Sequence, residues 1–140
     1  MKLIEIKKDL FKVEDKYYLA HCISSDCAMG AGIAVEFEKR FKLRSKLLKN
    51  SNVVRKFPTC ILEGKTLNLI TKEKYWHKPT YDSLLGALGV MKSIAIDNDI
   101  KYIAMPTIGS GLDRLNWNKV KEIIHEVFEH TDIEILVCKL

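Results

Sequence analysis

Strand-like and helix-like segments alternate along this chain, and that order predicts an α/β domain with a largely parallel or mixed sheet covered by helices on both faces. Three observations carry the prediction. Short apolar runs bounded by Ser, Asp, Gly or Pro recur through the 140 residues. Longer segments repeat apolar residues at helical spacing. Each helical segment also lies between two strand-like runs, as in a βαβ unit.

The elements follow in order. Leu3–Ile6 reads as a short strand with Ile4 and Ile6 on one face. Tyr17–Ile23 is a near-continuous apolar run, the pattern of a strand buried on both sides. The loop SSDCAMGAG follows it and opens a helix in which Ile33, Phe37 and Phe41 recur at four-residue spacing. Thr59–Leu62 and Thr66–Thr71 read as two strands joined around Glu63–Lys65. Tyr81–Asp97 is the clearest helix: Leu84, Leu88, Met91 and Ile94/Ala95 form one stripe, and Thr80 is a candidate N-cap after Pro79. Tyr102–Met105 is a strand stopped by Pro106, and a helix from about Asn116 to Glu129 carries Val120, Ile123, Ile124, Val127 and Phe128 on one face. Ile133–Val137 closes the pattern as a last buried strand. No repeat, low-complexity tract or linker interrupts it, so residues 1–140 are expected to form one domain.

Composition narrows the class. A chain of this length buries roughly 68–70% of its unfolded surface, enough for a core without disulfides. The 47% hydrophobic content argues against disorder. No apolar run approaches the ~20 residues that span a bilayer. Met1–Lys8 reads as a strand and not as a signal peptide, so a cytoplasmic protein with no membrane partner is expected. Cys22, Cys60 and Cys138 lie in apolar runs, as buried free thiols do. Cys22 and Cys27 are not followed by a second Cys/His pair, so no zinc site is expected. The net charge of +5 points weakly to an anionic partner. Much of the excess lies between Lys39 and Lys56, a run read first as a solvated face.

Ligands in such sheets bind at the carboxyl ends of strands, which directs attention to the loops after Ile23, Thr71 and Met105. Two of them share a design of strand, glycine-containing loop and helix: Met29-Gly30-Ala31-Gly32-Ile33-Ala34 and Gly109-Ser110-Gly111-Leu112-Asp113-Arg114. Glycine lets a backbone approach a ligand closely, and a following helix start offers unpaired N–H groups to an anion. Each hydrogen bond to a charged phosphate oxygen is worth about 1.5–3 kcal/mol. Either loop alone is more often a tight turn; two together make a phosphate cradle an even choice. The pattern G-x-x-x-x-G-K-[ST] is absent, which excludes a P-loop NTPase. The first loop lacks the third glycine of a dinucleotide fingerprint and does not follow the first strand, which disfavours a Rossmann site.

These residues resemble a known family. His21-Cys22-Ile23-Ser24, Asp26-Cys27 and Met29 through Ala34 are similar to the first loop of macrodomains, in the branch named for terminal ADP-ribose protein glycohydrolase. Leu69-Ile70-Thr71-Lys72, His77-Lys78-Pro79-Thr80-Tyr81, Met105-Pro106, Ile108-Gly109 and Gly111 through Leu115 match the same branch in the same order, as does Thr131-Asp132-Ile133. The resemblance covers nearly the whole chain and implies a three-layer α/β/α macrodomain with a central mixed sheet and an ADP-ribose cleft. It places Asp9, beside Leu10, at the adenine amino group, although Lys8 stands where the family has glycine. It assigns ligand contacts to His21, Ser24, Met29, Gly30, Gly32 and Ile33, and wraps Thr107, Ile108, Gly109, Ser110, Gly111 and Leu112 around the pyrophosphate.

Lys72 and Asp113 stand at the positions of the family's catalytic pair, with Lys72 forming a covalent lysyl–ribose intermediate and Asp113 helping to resolve it. Without that resemblance Lys72 reads as a solvated lysine and Asp113 as a turn residue or N-cap. As acid–base groups, His21 and His77 are read as structural first. Tyr75 and Trp76 are placed at the flank of the cleft, and Trp117 at the start of the last helix.

The implied function is a hydrolase that removes terminal ADP-ribose from glutamate or aspartate esters and also acts on O-acetyl-ADP-ribose. Its partners would be ADP-ribose and ADP-ribosylated protein, with no metal or other cofactor, and the chain is expected to act as a monomer. One alternative is release of ADP-ribose from DNA, with the Lys39–Lys56 run holding the phosphate backbone. The other is a reader that binds ADP-ribose without turnover, which the intact Lys72 and Asp113 disfavour.

Overall fold

The computed structural model describes residues 1–50 and 56–140. Residues 51–55, part of the basic run, lie outside the described residues. The strands are β1 (Lys2–Lys7), β2 (Tyr18–Ser24), β3 (Thr59–Glu63), β4 (Thr66–Lys72), β5 (Tyr102–Met105) and β6 (Glu134–Lys139). The helices are α1 (Ile33–Phe41), α2 (Leu43–Leu48), α3 (Tyr81–Asp97) and α4 (Trp117–Phe128), with a single 3-10 turn at Leu10–Lys12.

Among the described residues one sheet runs in the order β1-β6-β5-β2-β4-β3. Every neighbouring pair is parallel except β3 with β4, a hairpin turned at Gly64 with φ 57°. The sheet is therefore mixed, with the hairpin supplying its single reversed strand.

Period-two alternation divides the core. Ala20 and Cys22 of β2, Leu67 and Leu69 of β4, and Ile135 and Val137 of β6 pack towards α3 and α4. Leu19, Ile23, Ile70, Leu136 and Cys138 pack on the other face, with α1 and α2. Helices therefore cover both faces, giving the three layers expected. On α3 the buried stripe is Leu84, Leu88, Met91 and Ala95, while Ile94 is only half-buried. Burying each larger side chain of that stripe contributes roughly 1.5–3 kcal/mol. Thr80 caps α3 through a reciprocal pair of bonds with Ser83, as its place after Pro79 suggested.

The basic run departs from a single helical face. Lys42 takes the left-handed conformation, φ 51° and ψ 48°, which ends α1 and re-aims the chain. Leu43 and Leu47, four residues apart, then turn into the core. Lys39, Arg40, Lys42, Arg44, Lys46 and Lys49 remain exposed. Among the described residues no helix is long and apolar enough to cross a membrane.

Topology decides where a cleft opens. Chain leaving β2 enters α1 on one face of the sheet, whereas chain leaving the adjacent β5 leads to α4 on the other. Diverging connections from neighbouring parallel strands leave a crevice beyond their carboxyl ends.

Candidate active site

The loops after β2, β4 and β5 converge on a cleft of about 710 Å³. Residues Ala28 through Ala34 form one wall, and Pro106 through Gly109 with Gly111 through Asp113 form the opposite one. Cys22, Ile23, Ser24, Lys72, Tyr75 and Lys78 complete the lining.

The first wall is a helix start. Gly32 sits at φ 61° and ψ −151°, a region open essentially to glycine alone. It is the N-cap of α1 and has no side chain to cap it. The first-turn N–H groups of Ile33 and Ala34, both cleft-lining residues, thus keep their capacity for an anion.

The second wall is built differently. Its backbone folds through successive turns: Ile108 N–H donates to the Pro106 carbonyl at 2.8 Å, Ser110 N–H to Thr107 at 3.2 Å and Leu115 N–H to Gly109 at 2.7 Å. The helix that follows begins only at Trp117, and the Asn116 side chain accepts from Asn118 and Lys119 N–H at 2.9 and 3.3 Å. The helix starts where expected, but the expectation that its first turn offers unpaired N–H groups to an anion is corrected: α4 is capped by its own asparagine. Among the described residues, the N–H groups of Gly109, Gly111 and Leu112 have no intramolecular acceptor, so this wall presents loop backbone instead.

Across the cleft, Lys72 at the end of β4 meets Asp113 of the second wall. Nζ lies 2.8 Å from Oδ1, and each side chain is only 16% exposed. Lys78 Nζ donates to the Leu112 carbonyl at 2.9 Å and ties the loop after β4 to the same wall. A Cβ added to Gly32 would lie 3.4 Å from Leu112 Cδ1, so the two walls nearly touch over the cleft. Cys22 lies on the floor, where burial first and then the Asp113 charge push its thiol up to about 12. It stays protonated and is no competing nucleophile.

The cleft is lined by Ser24, Met29, Gly30, Gly32, Ile33, Lys72, Thr107, Ile108, Gly109, Gly111, Leu112 and Asp113 from the expected set. Asp9, Leu10, His21 and Ser110 are not part of that lining. Asp9 caps the 3-10 turn, accepting from Phe11 N–H at 2.9 Å, and Leu10 is buried in the core. His21 is fully buried, stacked on Phe37 with ring centroids 3.7 Å apart, and bonded through Nε2 to Asn68 Oδ1 at 2.6 Å. Asn68 Nδ2 is spent on the Ile61 carbonyl and Thr66, so Oδ1 must accept and His21 Nε2 carries the proton. Burial draws this imidazole down to about 4, and it is a neutral core group. Ser110 turns its hydroxyl inward, donating to the Thr107 carbonyl at 2.8 Å.

Tyr75 lines the cleft and Trp76 does not, though both are 62% exposed. Trp117 donates from Nε1 to Glu5 at 2.8 Å and packs against the core.

Sequence reasoning missed Asp26. Its Oδ1 accepts from Ser24 Oγ and from Ala28 N–H at 3.2 Å, and its Oδ2 accepts from Tyr75 N–H at 3.0 Å. Burial raises this carboxyl, but those donors outweigh it and hold the pKa below the usual carboxylate range. The only available signal was its place in the quoted motif, which does not reveal a partner 49 residues away.

Relatives bear on the whole chain. It is 44% identical over 140 residues to the human ADP-ribose glycohydrolase OARD1, covering 99% of this chain and 92% of that protein. The bovine protein of the same name matches with the same identity and coverage. Among solved structures, the macrodomain of Mycobacterium tuberculosis DarG aligns with a TM-score of 0.88 at 17% identity, over 99% of this chain and 97% of that one. Thermosipho africanus DarTG in complex with ADP-ribose aligns with a TM-score of 0.82 at 16% identity, over 98% of this chain and 41% of that one. No family model matches the chain. The likeness to the solved structures establishes the macrodomain fold, and by its identity to the human and bovine proteins across nearly its full length the chain belongs to the ADP-ribose glycohydrolase family of macrodomains.

Proposed function

We propose that this protein hydrolyses the ester between the anomeric carbon of ADP-ribose and an acidic side chain of a modified protein. The observation that carries the reading is the Lys72–Asp113 pair, held at 2.8 Å inside the cleft of a chain that belongs to this family. The two walls supply backbone N–H groups of two kinds for the pyrophosphate, which leaves the end of β4 for the terminal ribose.

The pair supports a displacement in two steps. A proton passes from Lys72 to Asp113, leaving a neutral amine. Nζ then forms a bond to the anomeric carbon, and the carbon–oxygen bond breaks with its electron pair going to the departing carboxylate. In the second step water adds at the same carbon, the carbon–nitrogen bond breaks, and proton transfer through Asp113 restores the lysine and releases ADP-ribose. O-acetyl-ADP-ribose carries the same type of ester and would be a second substrate where its acetyl group occupies the leaving position.

The exposed basic residues of α1 and α2 favour a second reading, release of ADP-ribose from DNA. Turnover of an ADP-ribosylated glutamyl peptide and of ADP-ribosylated DNA, followed side by side by chromatographic release of ADP-ribose, tests both. Release from the peptide at a higher kcat/KM supports the first reading. Faster release from DNA, falling steeply with salt, replaces it with the second; release from neither sinks the hydrolase.

A further inference from the structure

Ser24 is an unusual serine in that its proton is already committed. Its hydroxyl donates to Asp26 Oδ1, while the same carboxylate holds Ala28 N–H at 3.2 Å and Tyr75 N–H at 3.0 Å. Two further bonds run alongside: Ser25 N–H donates to the Lys72 carbonyl at 2.9 Å and Asp26 N–H to the Glu73 carbonyl at 3.3 Å. Through them the segment after β2 continues the β2–β4 ladder past the shift in register between Ile23 and Ser24. The Asp26 carboxylate therefore fastens the first wall to the stretch that begins at Lys72.

A carboxylate accepts and does not donate, and a hydroxyl has one proton. With that proton held by Asp26, Ser24 has only lone pairs to offer the cleft it lines. Lone pairs repel a phosphate oxygen and attract a hydroxyl proton. The neighbours sort the same way: free backbone N–H donors belong to Ile33 and Ala34 and to Gly109, Gly111 and Leu112, whereas Ser24 lies beside Lys72 as its partner in the β2–β4 register.

We propose that Asp26 is a positioning and specificity-determining residue that makes Ser24 a hydrogen-bond acceptor for a hydroxyl of the distal ribose, selecting the sugar end of the ligand over its phosphates. The inference rests on the ADP-ribose reading above and adds the polarity of one contact to it. Ser24 touches the sugar; Asp26 acts through Ser24 and through the backbone of Tyr75.

Calorimetry with two ligands tests it. ADP-ribose presents the distal ribose and ADP lacks it. Ser24→Ala should weaken ADP-ribose by about tenfold, the worth of one such hydrogen bond, and change ADP by less than about twofold. Asp26→Ala, which also unfastens the first wall, should weaken ADP-ribose about tenfold more than it weakens ADP. Residual ADP binding also reports that each variant is folded. The polarity is read from ADP-ribose analogues with one distal-ribose hydroxyl replaced by fluorine, which cannot donate. One of the two ring positions should cost the wild type about tenfold and cost Ser24→Ala nothing further. Equal weakening of ADP and ADP-ribose would overturn the inference in favour of a purely structural clamp. Wild-type binding unaffected by fluorine at either position would overturn the acceptor role. Wild type that binds neither ADP-ribose nor ADP would overturn the reading of the cleft itself, a distinct result.

Discussion

The two glycine-containing walls of the cleft look alike in sequence and work by different means. In Met29–Ala34 the helix starts at once, Gly32 is an N-cap with no side chain, and the free donors are first-turn N–H groups of α1. In Gly109–Arg114 the chain makes further turns, Asn116 caps α4, and the donors are loop amides. The difference teaches that glycine spacing reports where backbone approaches a ligand. It does not report whether a helix dipole comes with it. The second wall also supplies Asp113, so under the proposed function one wall would only hold the ligand while the other would hold it and take part in the chemistry.

That division is broken or sharpened by five substitutions. The largest effect is expected at the Lys72–Asp113 pair. Lys72→Ala and Asp113→Ala should each lower turnover on the order of a thousandfold while ADP-ribose affinity moves only a few-fold, because the chemical step loses its groups and ground-state binding does not. Intact-mass spectrometry of Asp113→Ala incubated with substrate at raised pH, where solvent takes the Lys72 proton in place of Asp113, should show an ADP-ribosyl adduct on Lys72. Full activity in Lys72→Ala would return the chemistry to water attack.

Next comes Gly111→Val. A Cβ at Gly111 meets nothing within 4 Å, so the variant should fold normally. Its added bulk enters the space a ligand needs and should weaken ADP-ribose by more than about tenfold, from loss of one or two bonds to phosphate. Unchanged affinity in the folded variant would remove the second wall from the phosphate site.

Gly32→Ala should act on both fold and binding. Alanine at φ 61° and ψ −151° is strained by about 1–3 kcal/mol, and its Cβ would reach Leu112 Cδ1 at 3.4 Å. Thermal unfolding should fall accordingly and ADP-ribose affinity with it. A variant as stable as the wild type would show that the loop relaxes.

The smallest effect is expected from Asn116→Ala, the sharpest test of the contrast between walls. Loss of the cap should cost about 1 kcal/mol of stability in a denaturant melt and leave ADP-ribose affinity unchanged. A clear change in affinity would mean that the start of α4 belongs to the ligand site after all.

Local signals made much of the fold legible. Thr80 before Tyr81–Asp97, Pro106 after Tyr102–Met105 and the period-two runs are decided by neighbours in sequence, and the observed elements fall where they point. The break at Lys42 was not legible, because nothing in a basic run marks one lysine as left-handed; burying Leu43 and Leu47 requires it. His21 shows the same limit within the site. Its motif puts it beside the cleft residues, but its side chain faces Phe37 and Asn68, whose positions come from distant segments.

By itself the sequence determined the alternation of elements, the two glycine loops and the identity of the groups capable of chemistry, since periodicity, capping and residue type are local properties. Only the tertiary structure decided how those groups meet. Lys72 and Asp113 stand 41 residues apart, and Asp26 and Tyr75 stand 49 apart. Their hydrogen bonds exist because parallel strands carry loops from distant parts of the chain to one end of one sheet. A bond's donor, acceptor and direction are properties of that arrangement in space, which a linear order of residues does not contain.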